Sequence, residues 1–174
     1  MGRTQYYTAT TLDGYIADEN HSLDWLFTRA RDPEGALSYA RFIAEVGAIA
    51  MGSTTYEWIL DHSDWPYEVP SWVFTSRDLQ VEPGFEIELV RGDVAPVHAA
   101  MAEAAGEKNR WIVGGGDLVG QFADAGLLDE VLVTIAPVTL GGGAPLLPRR
   151  LELRLDGVER NGDFAAATYS VVRA

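Results

Sequence analysis

The stretch Arg110 to Leu118, RWIVGGGDL, narrows the chain's choice of fold more than any other. An apolar run that reads as a buried strand breaks into three consecutive glycines, and a helical pattern, DLVGQFADAG, follows at once. Buried strands that alternate with helices build a mainly parallel sheet, which needs helices on both faces. That alternation recurs along the chain. Thr4 to Thr11, TQYYTATT, is β-branched and aromatic, as a strand requires. From Glu34 to Val46 a helix is predicted, with an apolar stripe at Leu37, Ala40, Ile43 and Ala44 and a stop at Gly47.

AIAMG then reads as a short buried strand, and STTYEWIL as a helix capped by Ser53 or Thr54. SWVFTS and FEIELV are strands on either side of a Pro83-Gly84 turn. DVAPVHAAMAEAAG is a helix that tolerates Pro96 only in its first turn. After DEVLVTIAPV, another strand, the chain closes with two long runs around Asn161-Gly162, a hairpin signal. The order predicts an α/β fold: a mainly parallel eight-stranded sheet with a C-terminal antiparallel hairpin and helices on both faces. No repeat or linker divides residues 1–174, so one domain is expected.

Composition removes several function classes. The 26 acidic residues outnumber the 13 Lys and Arg, and a net charge of −13 repels nucleic-acid phosphates. No apolar run is long enough to cross a bilayer, and MGRTQYYTAT lacks the apolar core of a signal peptide, so a cytoplasmic location is expected. With no cysteine, disulfides and thiolate metal sites are excluded. His21, His62 and His98 are too scattered to predict a metal site.

Open α/β sheets bind ligands beyond the carboxyl ends of their strands. Four segments fall there. In MGSTTY, Gly52 permits a tight turn, and Ser53, Thr54 and Thr55 open a helix whose free N–H groups favour an anion; an ordinary Ser/Thr cap is the alternative. In FTSRD, Thr75, Ser76 and the planar fork of Arg77 suit a phosphate monoester, with Arg91 as a neighbouring aid; a solvated strand end is the alternative. Gly114, Gly115 and Gly116 expose bare backbone before a helix N-terminus, which suits a pyrophosphate or a flat ring. The long Thr10 to Trp25 connection carries Tyr15 and Trp25, which either stack on a ring or anchor the loop.

Taken in order, TLDGYIA, MGSTTYEWI, FTSRD and IVGGGDLVGQFADAGLLDEVLVTIAPVTLGGG resemble the dihydrofolate reductase superfamily. The closest branch is that of the riboflavin-biosynthesis reductase (RibD C-terminal) domain, and the resemblance runs from about Gln5 to Val172. It implies the three-layer dihydrofolate-reductase-like fold and an NADP(H) site. Ser53, Thr54 and Thr55 would then bind the pyrophosphate, and Thr75, Ser76 and Arg77 the 2′-phosphate. Gly114, Gly115, Gly116, Asp117 and Leu118 would hold the pyrophosphate and nicotinamide side, with Ala9 and Ile16 near the nicotinamide. A cis peptide is implied at Gly114–Gly115.

The family's substrate-binding carboxylate position, counted back from Met51-Gly52, falls on Ala36. Asp32 and Glu34 lie one turn earlier, and Asp13 and Tyr15 are the other candidate proton donors. The resulting expectation is an NADPH-dependent reductase acting on a small pterin- or pyrimidine-like heterocycle, with Tyr15 and Trp25 on the substrate. A module that binds NADP(H) or a heterocycle without turnover is the alternative. A homodimer is expected, with the apolar TLGGGAPLLP segment, Thr139 to Pro148, either forming its surface or crossing the end of the sheet.

Overall fold

The structure, a computed structural model, describes residues 1–173. Its elements are β1 (Thr4–Thr11), β2 (Tyr15–Ala17), α1 (Asp24–Phe27), α2 (Tyr39–Ala44), β3 (Val46–Gly52), α3 (Ser53–His62), β4 (Ser71–Phe74) and β5 (Ile87–Val90). They continue as α4 (Val94–Ala105), β6 (Asn109–Gly114), α5 (Gly116–Asp124), β7 (Glu130–Ala136), β8 (Ala144–Pro145), β9 (Leu153–Asn161) and β10 (Phe164–Val171). Eight strands form one sheet in the order β5-β4-β3-β6-β1-β7-β10-β9. Six of them run parallel, and the closing hairpin adds β10 and β9 antiparallel.

The pleat sorts the core into two layers. On one face Tyr6, Ile112, Met101, Val119 and Phe122 pack beneath α4 and α5. On the other Ile49, Met51, Tyr56, Val73 and Trp111 pack beneath α2 and α3. Neighbours in sequence, such as Trp111 and Ile112, therefore serve opposite layers. Each such fully buried large side chain is worth about 1.5–3 kcal/mol relative to exposure.

Two elements differ from the sequence expectation. The helix predicted over Glu34 to Val46 shrinks to α2, with Ser38 as its cap. Asn161, at the closing hairpin, accepts from Asp32 N (2.8 Å) and donates to the carbonyls of Asp32 (3.0 Å) and Ala36 (2.9 Å). Arg41 takes the carbonyls of Glu34 and Gly35 at 2.6 and 2.7 Å, and Leu37 stands at φ 52°, outside helical space. Tertiary hydrogen bonds thus override a local periodicity, and Gly47 lies inside β3. The cap of α3 is Gly52, with no side-chain bond, in place of Ser53 or Thr54.

The Thr139 to Pro148 segment crosses the end of the sheet. Part of it, β8, pairs with β2, the Leu146 amide donates to Gly14 O (2.9 Å), and the Tyr6 hydroxyl donates to Leu146 O (3.0 Å). Leu146 and Leu147 pack against the α5-side core. These apolar residues are used within the protomer.

Candidate functional site

Parallel pairing aligns the strand ends in one rim: Gly52 lies opposite Phe74, Phe74 opposite Val90, Met51 opposite Gly114, and Thr11 opposite Ala136. The three glycines at this rim have three different reasons to be glycine. Gly114 has φ 137° and is joined to Gly115 by a cis peptide, as the resemblance implies. Gly116 is pressed against the β8 crossing: a Cβ there would lie 2.5 Å from the carbonyl oxygen of Leu146 and closer still to that of Pro145. Gly115 has room, its built Cβ meeting nothing nearer than Ile16 Cδ1 at 4.0 Å. Packing explains the third glycine, and open backbone marks the first two.

Gly52 faces the same gap, with Gly114 O 3.8 Å from a built Cβ. Both helices that start here, α3 after Gly52 and α5 after Gly115, lack a capping side chain. The first-turn amides at Ser53 to Thr55 and at Gly116 to Leu118 therefore have no side-chain partner at the cap, beside open glycine backbone. Leu118 contributes only backbone, since its side chain is buried in the α5-side core. Asp117 accepts from Gln121 Nε2 (3.1 Å) and Arg149 (3.0 Å). Those bonds, Gln121 first, hold its carboxyl below the usual range on the outer side of α5.

At the far corner the Thr75 hydroxyl accepts from Arg77 N (3.0 Å), which fixes the turn after β4. Thr75 is buried and Ser76 exposed. Arg77 reaches back to α3 and donates two hydrogen bonds to Glu57, at 3.1 and 2.6 Å. Arg91 pairs with Asp78 at 3.0 Å. Sequence reasoning placed both arginines and missed both carboxylates. Glu57 lies on α3, twenty residues before Arg77, and no local spacing rule joins the two.

The loop residues resolve differently. Asp13 accepts from the Thr11 hydroxyl (2.6 Å), Gly141 N (2.7 Å) and Leu140 N (3.1 Å). These bonds, Thr11 first, keep its carboxyl below the ordinary range and tie the turn after β1 to the backbone at Leu140 and Gly141. Trp25 is an anchor: it is buried with Ala136 and Phe164, and Ala9 packs on that cluster. Tyr15 is half-buried on β2, its amide donating to Thr11 Oγ1 at 3.0 Å. Asp32 and Glu34 are exposed and precede α2, and the Asp32 carboxylate accepts from Glu34 N at 3.0 Å.

Of the three candidate carboxylates, Glu34 alone borders a cavity of about 630 Å³, which Gln5, Tyr7, Phe42 and Leu132 also line. Tyr7 stacks on Phe42 at 4.1 Å and donates to Leu37 O at 2.8 Å. Burial pushes the Tyr7 hydroxyl's pKa up, against a smaller opposing pull from Arg31. Gln5, Tyr7 and Ala9 alternate along one face of β1; the cavity takes Gln5 and Tyr7, in the first half of the strand, and Ala9 follows on the rim side of Tyr7. Period-2 alternation in TQYYTATT was the signal for Gln5 and Tyr7, but nothing in the sequence told which face stays open.

The profile of the RibD C-terminal domain family matches residues 61–163. Uncharacterized protein YwjB of Bacillus subtilis (strain 168) is 31% identical over 172 residues, covering 96% of this chain and 97% of YwjB. The chain belongs to the RibD C-terminal domain family. A solved structure of a Shewanella sp. PV-4 protein, whose name associates it with riboflavin biosynthesis, superposes with a TM-score of 0.84 at 30% identity. That match covers 98% of this chain and 99% of the other. Dihydrofolate reductase from Enterococcus faecalis, solved in complex with NADP(H) and RAB-propyl, shares the fold at a TM-score of 0.59 and 18% identity. It covers 98% of this RibD-type chain and 97% of its own. The α/β, dihydrofolate-reductase-like architecture expected from the sequence is therefore that of the family, a reductase-type fold. Among the described residues no helix is long and apolar enough to cross a membrane.

Proposed function

We propose that the chain, acting as one domain, is an NADPH-dependent reductase that delivers a hydride to a small pterin- or pyrimidine-like heterocycle. One observation carries this reading: two helices without capping side chains open onto the same stretch of bare glycine backbone at the sheet rim. Unpartnered amides at two helix N-termini suit a pyrophosphate. Gly52 and Gly115 leave the space where a side chain would otherwise stand.

When bound, the dinucleotide supplies the hydride. The chain's own residues do the rest. The amides at Ser53 to Thr55 and Gly116 to Leu118 hold the diphosphate. Ser76 and Arg77, on the turn set by Thr75 and with Arg91 beside it, seat the 2′-phosphate. Ala9 and Ile16 offer small and aliphatic surface on which the nicotinamide lies. The heterocycle enters the cavity lined by Tyr7 and Phe42, next to Ala9 on the same face of β1. Tyr15, at the start of β2, offers an aromatic ring on the loop side of the rim, and Glu34, which borders the cavity, is the carboxyl that would pass a proton inward.

Arg77→Ala tests the 2′-phosphate assignment. A charge-assisted hydrogen bond is worth about 1.5–3 kcal/mol, so calorimetry should find NADPH weakened by at least about tenfold and NADH little changed. Equal losses for both would remove the assignment. The reading of a module that binds without turnover draws on Ala36 at the family's carboxylate position and on the engaged Asp13. NADPH oxidation across a panel of pterins and pyrimidines separates the two.

We also propose that the protein is a homodimer through the uncovered face of the hairpin. β9 is an edge strand, and its Leu155 and Val158 are 54% and 60% exposed beside a shallow groove of about 520 Å³. In a chain of net charge −13, LRLDGVERN carries two arginines against two carboxylates. Two copies therefore meet there with least repulsion. Light scattering should give a two-chain mass for the wild type and a one-chain mass for Leu155→Lys. A monomeric wild type would overturn this.

A further inference from the structure

The corner assigned to the 2′-phosphate is not simply basic. Glu57 faces Arg77 through both of its oxygens, at 3.1 and 2.6 Å, and Asp78 faces Arg91 at 3.0 Å. Two guanidiniums and two carboxylates leave the corner with no net charge. The two pairs differ in kind. Asp78 is fully exposed and makes a single contact, so solvent and salt screen it. Glu57 is only partly exposed, stands on α3 and takes Arg77 in a fork-to-fork pair, the geometry that a phosphate would also need.

A 2′-phosphate carries nearly two negative charges. To use the Arg77 fork it must displace Glu57 or approach the pair with that carboxylate a few ångströms away, and either weakens its hold. A ribose 2′-hydroxyl meets the opposite situation, because it can donate a hydrogen bond to a carboxylate. Rossmann-type dinucleotide sites distinguish the two cofactors by this choice, an acidic side chain for the hydroxyl and an arginine for the phosphate, and the same chemistry applies on any fold. Here one corner holds both partners, bonded to each other.

We propose that Glu57 is a specificity-determining residue that holds down the preference for NADPH over NADH and lets both dinucleotides use the same rim. The proposal rests on the reading of the rim as a nicotinamide dinucleotide site. Glu57 acts by occupying the donors of Arg77 and by presenting its own acceptors to an unphosphorylated ribose.

Isothermal titration of the full chain with NADPH and with NADH tests this directly, for wild type, Glu57→Gln, Glu57→Ala and Glu57→Gln/Arg77→Ala. Both single replacements should raise the NADPH-to-NADH affinity ratio by about tenfold, equivalent to about 1.4 kcal/mol. The gain should shrink as salt is raised and vanish in the double variant. Melting temperatures report whether each variant is folded. A ratio unchanged or lowered in both folded single variants, with wild type still binding NADPH, overturns the role of Glu57 and leaves the dinucleotide site standing. If no folded protein binds either dinucleotide, the site itself falls, and Glu57 with it.

Discussion

Gly52→Val is expected to abolish dinucleotide binding, a loss of at least about a hundredfold or about 2.7 kcal/mol, in a protein that still folds. The backbone at Gly52 has φ −80° and ψ 163°, extended values open to any residue. A Cβ built there meets nothing nearer than Gly114 O at 3.8 Å. The native backbone therefore accepts a Cβ, and valine's methyls extend from it into the gap that separates the α3 cap from the Gly114–Gly115 backbone. The poorer helix cap costs about 1 kcal/mol, which lowers the melting temperature by roughly 2–4 °C in a chain of this size. Calorimetry and thermal denaturation on the same sample check both halves. Unimpaired binding by the folded variant would show that this gap is not where the dinucleotide lies.

Gly116→Ala should behave in the opposite way, as a stability lesion. Here the added methyl meets backbone that cannot rotate aside: the carbonyls of Pro145 and Leu146, where the crossing segment presses on the start of α5. That crossing is held by the Leu146 amide on Gly14 O and by the Tyr6 hydroxyl on Leu146 O, so it cannot drift away without breaking both. Overpacking of this kind costs about 3 kcal/mol, or roughly 6–12 °C of melting temperature. An unchanged melting temperature would mean that the crossing does not press on α5 as described. The pair of variants separates two uses of glycine that a sequence alone merges. Gly52 stands where space is left open, and Gly116 where the chain itself already fills it.

The sheet was legible because its signals are local. TQYYTATT over Thr4–Thr11 needs only β-branched and aromatic composition to be read as a strand, and the structure gives it those bounds. Val94–Ala105 is capped by Asp93, with Pro96 in its first turn, as a helix-start rule requires. The helix predicted from Glu34 failed for the opposite reason. Its fate is decided by Asn161, more than a hundred residues away, whose side chain captures the backbone at Asp32 and Ala36. The short β2–β8 ladder escaped notice because two residues of β8 carry no periodicity to detect.

At the rim the same division holds. Glycines and hydroxyls after strands marked Gly52, Ser53 to Thr55 and Thr75 to Arg77, since residue type and position suffice there. What each side chain touches was not legible. Trp25 read as a stacking platform or, more simply, as an anchor of its loop, and its burial against Ala136 and Phe164 is that of an anchor. Asp13 looked available as an acid until Thr11, Leu140 and Gly141 proved to hold it. Glu57 is the clearest case: an unremarked acidic residue of α3 lies hydrogen-bonded to Arg77 through both of its oxygens.

The most direct test is a calorimetric titration of the wild-type chain with NADPH, repeated on Gly52→Val. Saturable binding at one site per chain by the wild type, lost in the folded variant, is the predicted result. A flat titration of folded wild type at millimolar NADPH would contradict the claim that this glycine-lined rim seats a dinucleotide.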